Sequence, residues 1–192
     1  MNSSFYAMLS RMKHIERWAL MRNTRSENLC EHSQDVAVIA HALALLTNTR
    51  FGGCVDCGTC VMLSLYHDAS EILTGDLPTP VKYDNPAIRD AYKELESVAC
   101  AKLLSKLPED LQNSYRPYFT EDGFEEERRI VKAADKIAAL IKCVEELAQG
   151  NGEFKKARES TEKAVRAMGL PAADCFLEEF LPAFALTLDE QS

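Results

Sequence analysis

The chain has 192 residues, with 22 Lys+Arg against 30 Asp+Glu and a formal charge of −8. Hydrophobic residues make up 46% and charged residues 27%, a composition that excludes a disordered tail and predicts one globular domain over residues 1–192. The acidic balance argues against binding a nucleic-acid polymer or an anionic lipid surface, both of which need a basic face. A small anionic substrate is admitted only through a local focus of positive charge or a bound metal. No apolar run approaches the roughly 20 residues of a membrane span. The opening Met1-Asn2-Ser3-Ser4-Phe5 shows no basic stretch leading into an apolar one. A cytoplasmic setting with reduced thiols is therefore expected for the seven cysteines.

Taken in chain order, almost every segment has helical period. Phe5, Met8, Leu9, Met12, Ile15 and Trp18 keep to steps of three and four, which predicts a first helix. Asn28 followed by Glu31 announces the next, running through Val36, Ile39, Ala40, Leu43 and Leu46. Phe51-Gly52-Gly53 ends it. A third helix is predicted from near Asp56 through Val61, Met62, Leu65 and Ile72 to Gly75. Gly75 to Pro86 holds three prolines and is expected to be a non-helical loop. Asn85-Pro86 then opens a helix that reaches about Leu107. Further helices are predicted over 124–148, about 153–168 and about 172–186. No alternating run is long enough for a strand, so the expected class is all-α with one Pro-rich functional loop.

With four histidines in the chain, each can be weighed. His67 is followed directly by Asp68, and on a helix such neighbours diverge by about 100°. On its own, the dipeptide reads as a local His–Asp hydrogen bond. It is accompanied, however, by His32 in the first turn of the second helix and by Asp135 on the long helix, among alanines that would bury it. A carboxylate on an apolar face calls for a cation. Two imidazoles and two carboxylates suit a divalent first-row metal, Mn, Co, Fe or Zn, and without a thiolate ligand that metal stays Lewis acidic.

The order His32…His67-Asp68…Asp135 resembles the HD-domain phosphohydrolase superfamily. Arg17-Trp18, Leu20-Met-Arg-Asn, Glu31-His32-Ser33, Tyr66-His-Asp-Ala-Ser-Glu71, Thr74-Gly-Asp-Leu-Pro-Thr-Pro-Val-Lys82 and Glu145-Glu146-Leu-Ala narrow it. Together they resemble the bacterial 5′-deoxynucleotidases of that superfamily over about residues 5–190. The resemblance implies an HD-domain helical bundle, a homodimer, and hydrolysis of 2′-deoxyribonucleoside 5′-monophosphates. It implies His32, His67, Asp68 and Asp135 as ligands of a divalent transition metal (Co or Mn, with Zn, Fe or Cu as further candidates). It also implies Arg17, Glu71 and Asp76 as catalytic residues, and Arg17, Trp18, His32, Asp76, Leu77, Pro78 and Thr79 as substrate-binding residues.

The residues lend these assignments unequal support. Arg17 offers a planar fork of donors for phosphate, although a lone Arg is usually just solvated. Trp18 reads equally as core packing or as a wall for base or sugar. Glu71, three residues after Asp68, falls near the same face as a second acid. His14 and His41 have no ligand companions and read as surface or helix-packing histidines. Cys54, Cys57 and Cys60 form CxxCxxC but lack a fourth ligand, so paired oxidation is a better reading than metal binding. The alternatives are an HD phosphohydrolase of another nucleotide, or a noncatalytic scaffold around a structural metal. Against a triphosphate substrate, the matched segments carry only Arg17, Arg22, Arg25 and Lys82 as cations.

Overall fold

The computed structural model describes residues 3–82 and 85–192, without the side chains of Thr79 and Pro80. In chain order its α-helices are α1 (Phe5–Leu9), α2 (Leu29–Arg50), α3 (Cys57–Tyr66), α4 (Glu71–Thr74) and α5 (Thr79–Lys82). They continue with α6 (Pro86–Leu104), α7 (Glu109–Phe119), α8 (Glu125–Ala148), α9 (Lys155–Arg166) and α10 (Pro171–Glu179). Among the described residues no strand occurs, only an isolated antiparallel bridge between Glu16 and Asn28. The all-α expectation holds. None of the described helices is long and apolar enough to cross a membrane.

The chain divides into two compact units: Met1–Leu20, Ser26–Ser33 and Leu65–Gly123 in the first, Met21–Arg25, Gln34–Ser64 and Phe124–Ser192 in the second. The core of the first is Phe5, Ala69, Leu103, Leu104, Leu107 and Phe119. Phe5 meets the rings of Tyr115 and Phe119 edge-on at 5.2 and 5.9 Å. Such offset aromatic contacts add specificity to the apolar burial. In the second unit α8 contributes Ile130, Ala133, Ala134, Ile137, Ala138 and Leu140 to the interior. That is one stripe at steps of three and four, as its sequence requires.

Several boundaries depart from the sequence reading. The first helix does not reach Trp18: α1 tightens into a 3₁₀ turn over Ser10–His14, and Ile15 is extended. Its apolar period continues only by accident, because residues 15–17 find backbone partners in residues 27–29 instead of a further helical turn. The third helix ends at Tyr66, and His67–Ser70 form a turn before α4. Within the Pro-rich segment, Thr79–Lys82 make one helical turn after all. Pro80 lies in its first positions, where the missing N–H is not needed. Residues 109–119, given no element in the sequence reading, form α7. The last predicted helix stops at Glu179 and passes into a 3₁₀ turn, Leu181–Ala185, with Pro182 at its start. The Asn85 cap is as expected, its side chain accepting from Ile88 N–H. Asn28 likewise accepts from Cys30 and Glu31 N–H while Glu31 accepts from Asn28 N–H, a complete capping box.

Candidate active site in the first unit

Two short backbone segments frame the site. Arg17 N–H donates to Glu27 C=O at 2.9 Å, and Leu29 N–H to Ile15 C=O at 3.0 Å. This pairing brings Arg17 and Trp18 against the start of α2, where His32 occupies the first turn. Trp18 takes a left-handed φ of 58°, a strained setting for a non-glycine residue and one that recurs at functional sites. Its indole N–H donates to Glu27 Oε2 at 3.2 Å.

The His67-Asp68 turn is fastened on both sides. Before it, Tyr66 stacks near Phe119 at 5.2 Å and Tyr115 at 5.9 Å. After it, Ala69 is fully buried in the aromatic core. Ala69 N–H donates to Tyr66 C=O and Glu71 N–H to Asp68 C=O, each at 3.0 Å. The turn presents both side chains to one place, which consecutive residues of a helix would not do. The loop beyond α4 is held in a similar way. Gly75 adopts φ 75°, a conformation open to glycine, and its carbonyl accepts from the Tyr92 hydroxyl at 3.0 Å. Lys82 lies 4.6 Å over the Tyr92 ring and donates to Glu96 at 2.8 Å. Asp76, Leu77 and Pro78 follow Gly75 and are half-buried. The Thr79 side chain lies outside the described residues.

Three side chains of the site converge on one atom. Asp68 Oδ2 lies 3.2 Å from Arg17 Nη1, 3.1 Å from His67 Nε2 and 3.8 Å from His32 Nε2. His32 is 1% exposed. Burial alone would raise the Asp68 pKa, but the charges of His67, Arg17 and His32 hold it below the ordinary carboxylate range. Glu71 is 4% exposed, and its Oε2 has no hydrogen-bond partner among the described residues. Burial, and then the nearby charges of Asp68 and Asp76, push its pKa up to about 9. Asp76 is also raised, chiefly by burial, against the pull of Arg17. The first unit therefore holds one carboxylate that stays charged beside one that prefers its proton, an arrangement suited to acid–base chemistry.

The donors fit a divalent first-row ion. His32 and His67 each offer a ring nitrogen, and these lie within 4.8 Å of one another, with Asp68 Oδ2 at 3.8 Å and 3.1 Å from their Nε2 atoms. Asp135 belongs to the second unit, on α8, where it is half-buried rather than buried, between Ala134 and Lys136. The first unit thus brings together Arg17, Trp18, His32, His67, Asp68, Glu71 and Asp76. Sequence reasoning missed Glu27, whose carboxylate meets Arg17, Trp18 and His32. Its only signal was its place just before the Asn28 cap. His14 and His41 are exposed at the surface. Cys54 is exposed and Cys60 buried. Burial raises the Cys60 thiol to about 12, so it is not an activated thiolate.

Comparison with known proteins gives the family and the fold. The model of the YfbR-like 5′-deoxynucleotidases matches residues 4–184. A 5′-deoxynucleotidase of Vibrio vulnificus (strain YJ016) is 51% identical over 191 residues, 99% of this chain and 98% of its own. A 5′-deoxynucleotidase of Yersinia pestis (strain Pestoides F) is 49% identical over 191 residues, 99% of this chain and 97% of its own. An HD-domain phosphohydrolase from Listeria innocua shares the fold with a TM-score of 0.81 at 25% identity, over 98% of this chain and 91% of that one. The cyanophage S-2L HD phosphohydrolase, solved with dA and one catalytic Zn2+, gives 0.66 at 18% identity, over 94% and 96% of the two chains. At that identity the likeness is one of fold.

Proposed function

Since this chain belongs to the YfbR-like 5′-deoxynucleotidase family of HD-domain phosphohydrolases, we propose how its residues share the hydrolysis of 2′-deoxyribonucleoside 5′-monophosphates to deoxynucleosides and phosphate. The enzyme is a metal-dependent phosphomonoesterase. The observation that carries the division of roles is the convergence of Arg17, His32 and His67 on Asp68 Oδ2. His32, His67 and Asp68 would hold the metal together with Asp135. The support for Asp135 is its place in the order His…His-Asp…Asp and among the buried Ala133, Ala134, Ile137 and Ala138. One HD domain over residues 1–192 is part of this reading, since the family match runs from 4 to 184.

A divalent ion held by these ligands supplies Lewis acidity to the phosphoryl group and makes water easier to ionise. The side chains do the rest. Arg17 turns Nη1 toward the phosphoryl oxygens and stabilises the charge that builds there. Water adds to phosphorus as the bond to the 5′ oxygen breaks, and that oxygen needs a proton. Glu71 is buried, which favours its neutral acid, so it donates that proton; Asp76, half-buried at the start of the loop, accepts one from the attacking water. Trp18 and the Asp76–Thr79 loop, with Leu77 and Pro78, flank the nucleoside. Two imidazole ligands favour Co or Mn over the harder Mg, with Zn, Fe and Cu as further candidates. A homodimer in the cytoplasm completes the proposal, with the exposed Phe180 and Phe184 near the end of the chain as its support, while Phe176 is buried within the second unit.

The test is phosphate release from 5′-dAMP by protein stripped with EDTA and reloaded with Co, Mn or Mg. Activity is expected to vanish on stripping and to return best with Co or Mn. Full turnover without metal would defeat the assignment. Release from a triphosphate, a cyclic nucleotide or an alarmone but not from 5′-dAMP would favour another HD phosphohydrolase. Metal uptake with no hydrolysis of any of them would favour a scaffold.

A further inference from the structure

Glu27 lies outside every motif that carried the family resemblance, yet it contacts three groups of the site at once. Its Oε1 lies 3.1 Å from Arg17 Nε and 3.2 Å from His32 Nδ1. Its Oε2 accepts the Trp18 indole N–H at 3.2 Å. The carboxylate is 13% exposed, so water competes little for these contacts. The backbone fixes it in place: Glu27 C=O accepts from Arg17 N–H at 2.9 Å, and the next residue caps α2. From this geometry we propose that Glu27 is a positioning residue that orients the metal-ligating His32, the phosphate-binding Arg17 and the Trp18 wall together.

The physical argument runs through donors and acceptors. A carboxylate at Nδ1 holds the proton on that nitrogen and leaves Nε2 of His32 bare. Nε2 is the nitrogen on the Asp68 side, 3.8 Å from Oδ2, and a bare imidazole nitrogen is what a metal requires. On the guanidinium, Glu27 takes Nε and thereby turns Nη1 toward Asp68, where it is 3.2 Å away. The indole bond holds Trp18 in its left-handed backbone setting. A carboxamide cannot replace this. With its oxygen at the Oε1 position, a glutamine places its NH₂ against the indole N–H; turned over, it places that NH₂ against Arg17 and His32. Glu27→Gln therefore preserves volume and breaks the arrangement on one side or the other.

The inference rests on His32 being a metal ligand, and the experiment separates the two. Zinc affinity of the full chain is measured by competition with a chromophoric chelator for wild type, Glu27→Gln and His32→Ala. Kinetics on 5′-dAMP at saturating metal, Tm, and long-range 1H–15N spectra of the zinc-loaded protein accompany it. Loss of an outer hydrogen-bond partner to a ligating histidine typically weakens metal binding by about 10–100-fold. Glu27→Gln is expected to do so, to raise KM through Arg17, and to shift the Nδ1–H resonance of His32. Zinc affinity and KM within twofold of wild type would overturn the role, as would a fall in Tm alone. If His32→Ala loses zinc while Glu27→Gln binds it normally, only the role of Glu27 fails. Zinc retained by His32→Ala would remove the metal reading beneath it.

Discussion

Glu146 in the second unit provides a quantitative test of how buried charge is satisfied. Its side chain is 1% exposed and pairs with Lys142, itself 8% exposed. Oε2 accepts from Thr24 N–H at 2.9 Å, Thr24 Oγ1 at 2.8 Å and Asn151 Nδ2 at 2.8 Å, and Oε1 accepts from Lys142 Nζ. Burial alone would raise the pKa, but Lys142, Asn151 and Thr24 outweigh it and hold the carboxyl at about 2 against an ordinary 4.5. That difference corresponds to about 3 kcal/mol of stability at pH 7. The group-by-group count, with three donors on Oε2, reaches the same figure at its lower end. In Glu146→Gln the amide oxygen can face Lys142, but its NH₂ then meets the donors of Thr24 and Asn151. Leaving such donors unsatisfied costs about 1–3 kcal/mol each. The folded pKa is the lower one, so the contribution is present above pH 4.5 and is lost as pH falls toward 2. The assay is urea unfolding of wild type and Glu146→Gln from pH 7 to pH 3. The gap is expected to be about 3 kcal/mol at pH 7 and to narrow below 4.5. A gap under about 1 kcal/mol at pH 7, or one constant down to pH 3, would refute the reasoning.

Three further outcomes are expected of the active site and assembly. Asp135→Ala should lose metal and activity together, whereas Glu71→Ala should keep its metal and lose turnover by about 100-fold or more. Elemental analysis beside kcat decides this, and an emptied site in Glu71→Ala would make Glu71 a ligand. Trp18→Ala should narrow the kcat/KM ratio of 5′-dAMP to 5′-AMP, chiefly by admitting the ribonucleotide, within the roughly hundredfold that exclusion of a hydroxyl by an apolar wall can give. Arg17→Ala should slow both substrates more, and equal slowing of both by Trp18→Ala would make Trp18 a packing residue. Light scattering should give twice the chain mass of 21.5 kDa; the monomer mass at micromolar concentration would reject the homodimer.

The sequence by itself determined the all-α class and the caps at Asn28 and Asn85. Those features are local: a cap acts within one turn, and a helical period is written in the spacing of apolar residues. It also carried the family, because Tyr66-His-Asp-Ala-Ser-Glu71 and Thr74-Gly-Asp-Leu-Pro-Thr-Pro80 are contiguous strings. Tertiary structure decided what depended on distant partners. Trp18 reads as the end of a helical stripe, yet pairing between residues 15–17 and 27–29 pulls it off the helix and against Glu27. His67 and Asp68 read as helical neighbours. They reach one point because α3 ends at Tyr66, and Tyr66 and Ala69 anchor the turn to a core that includes Phe119 of α7. Glu27 was invisible, since a lone glutamate in a polar segment is ordinarily solvated. Its role arises only when a backbone pairing sets three donors around one carboxylate.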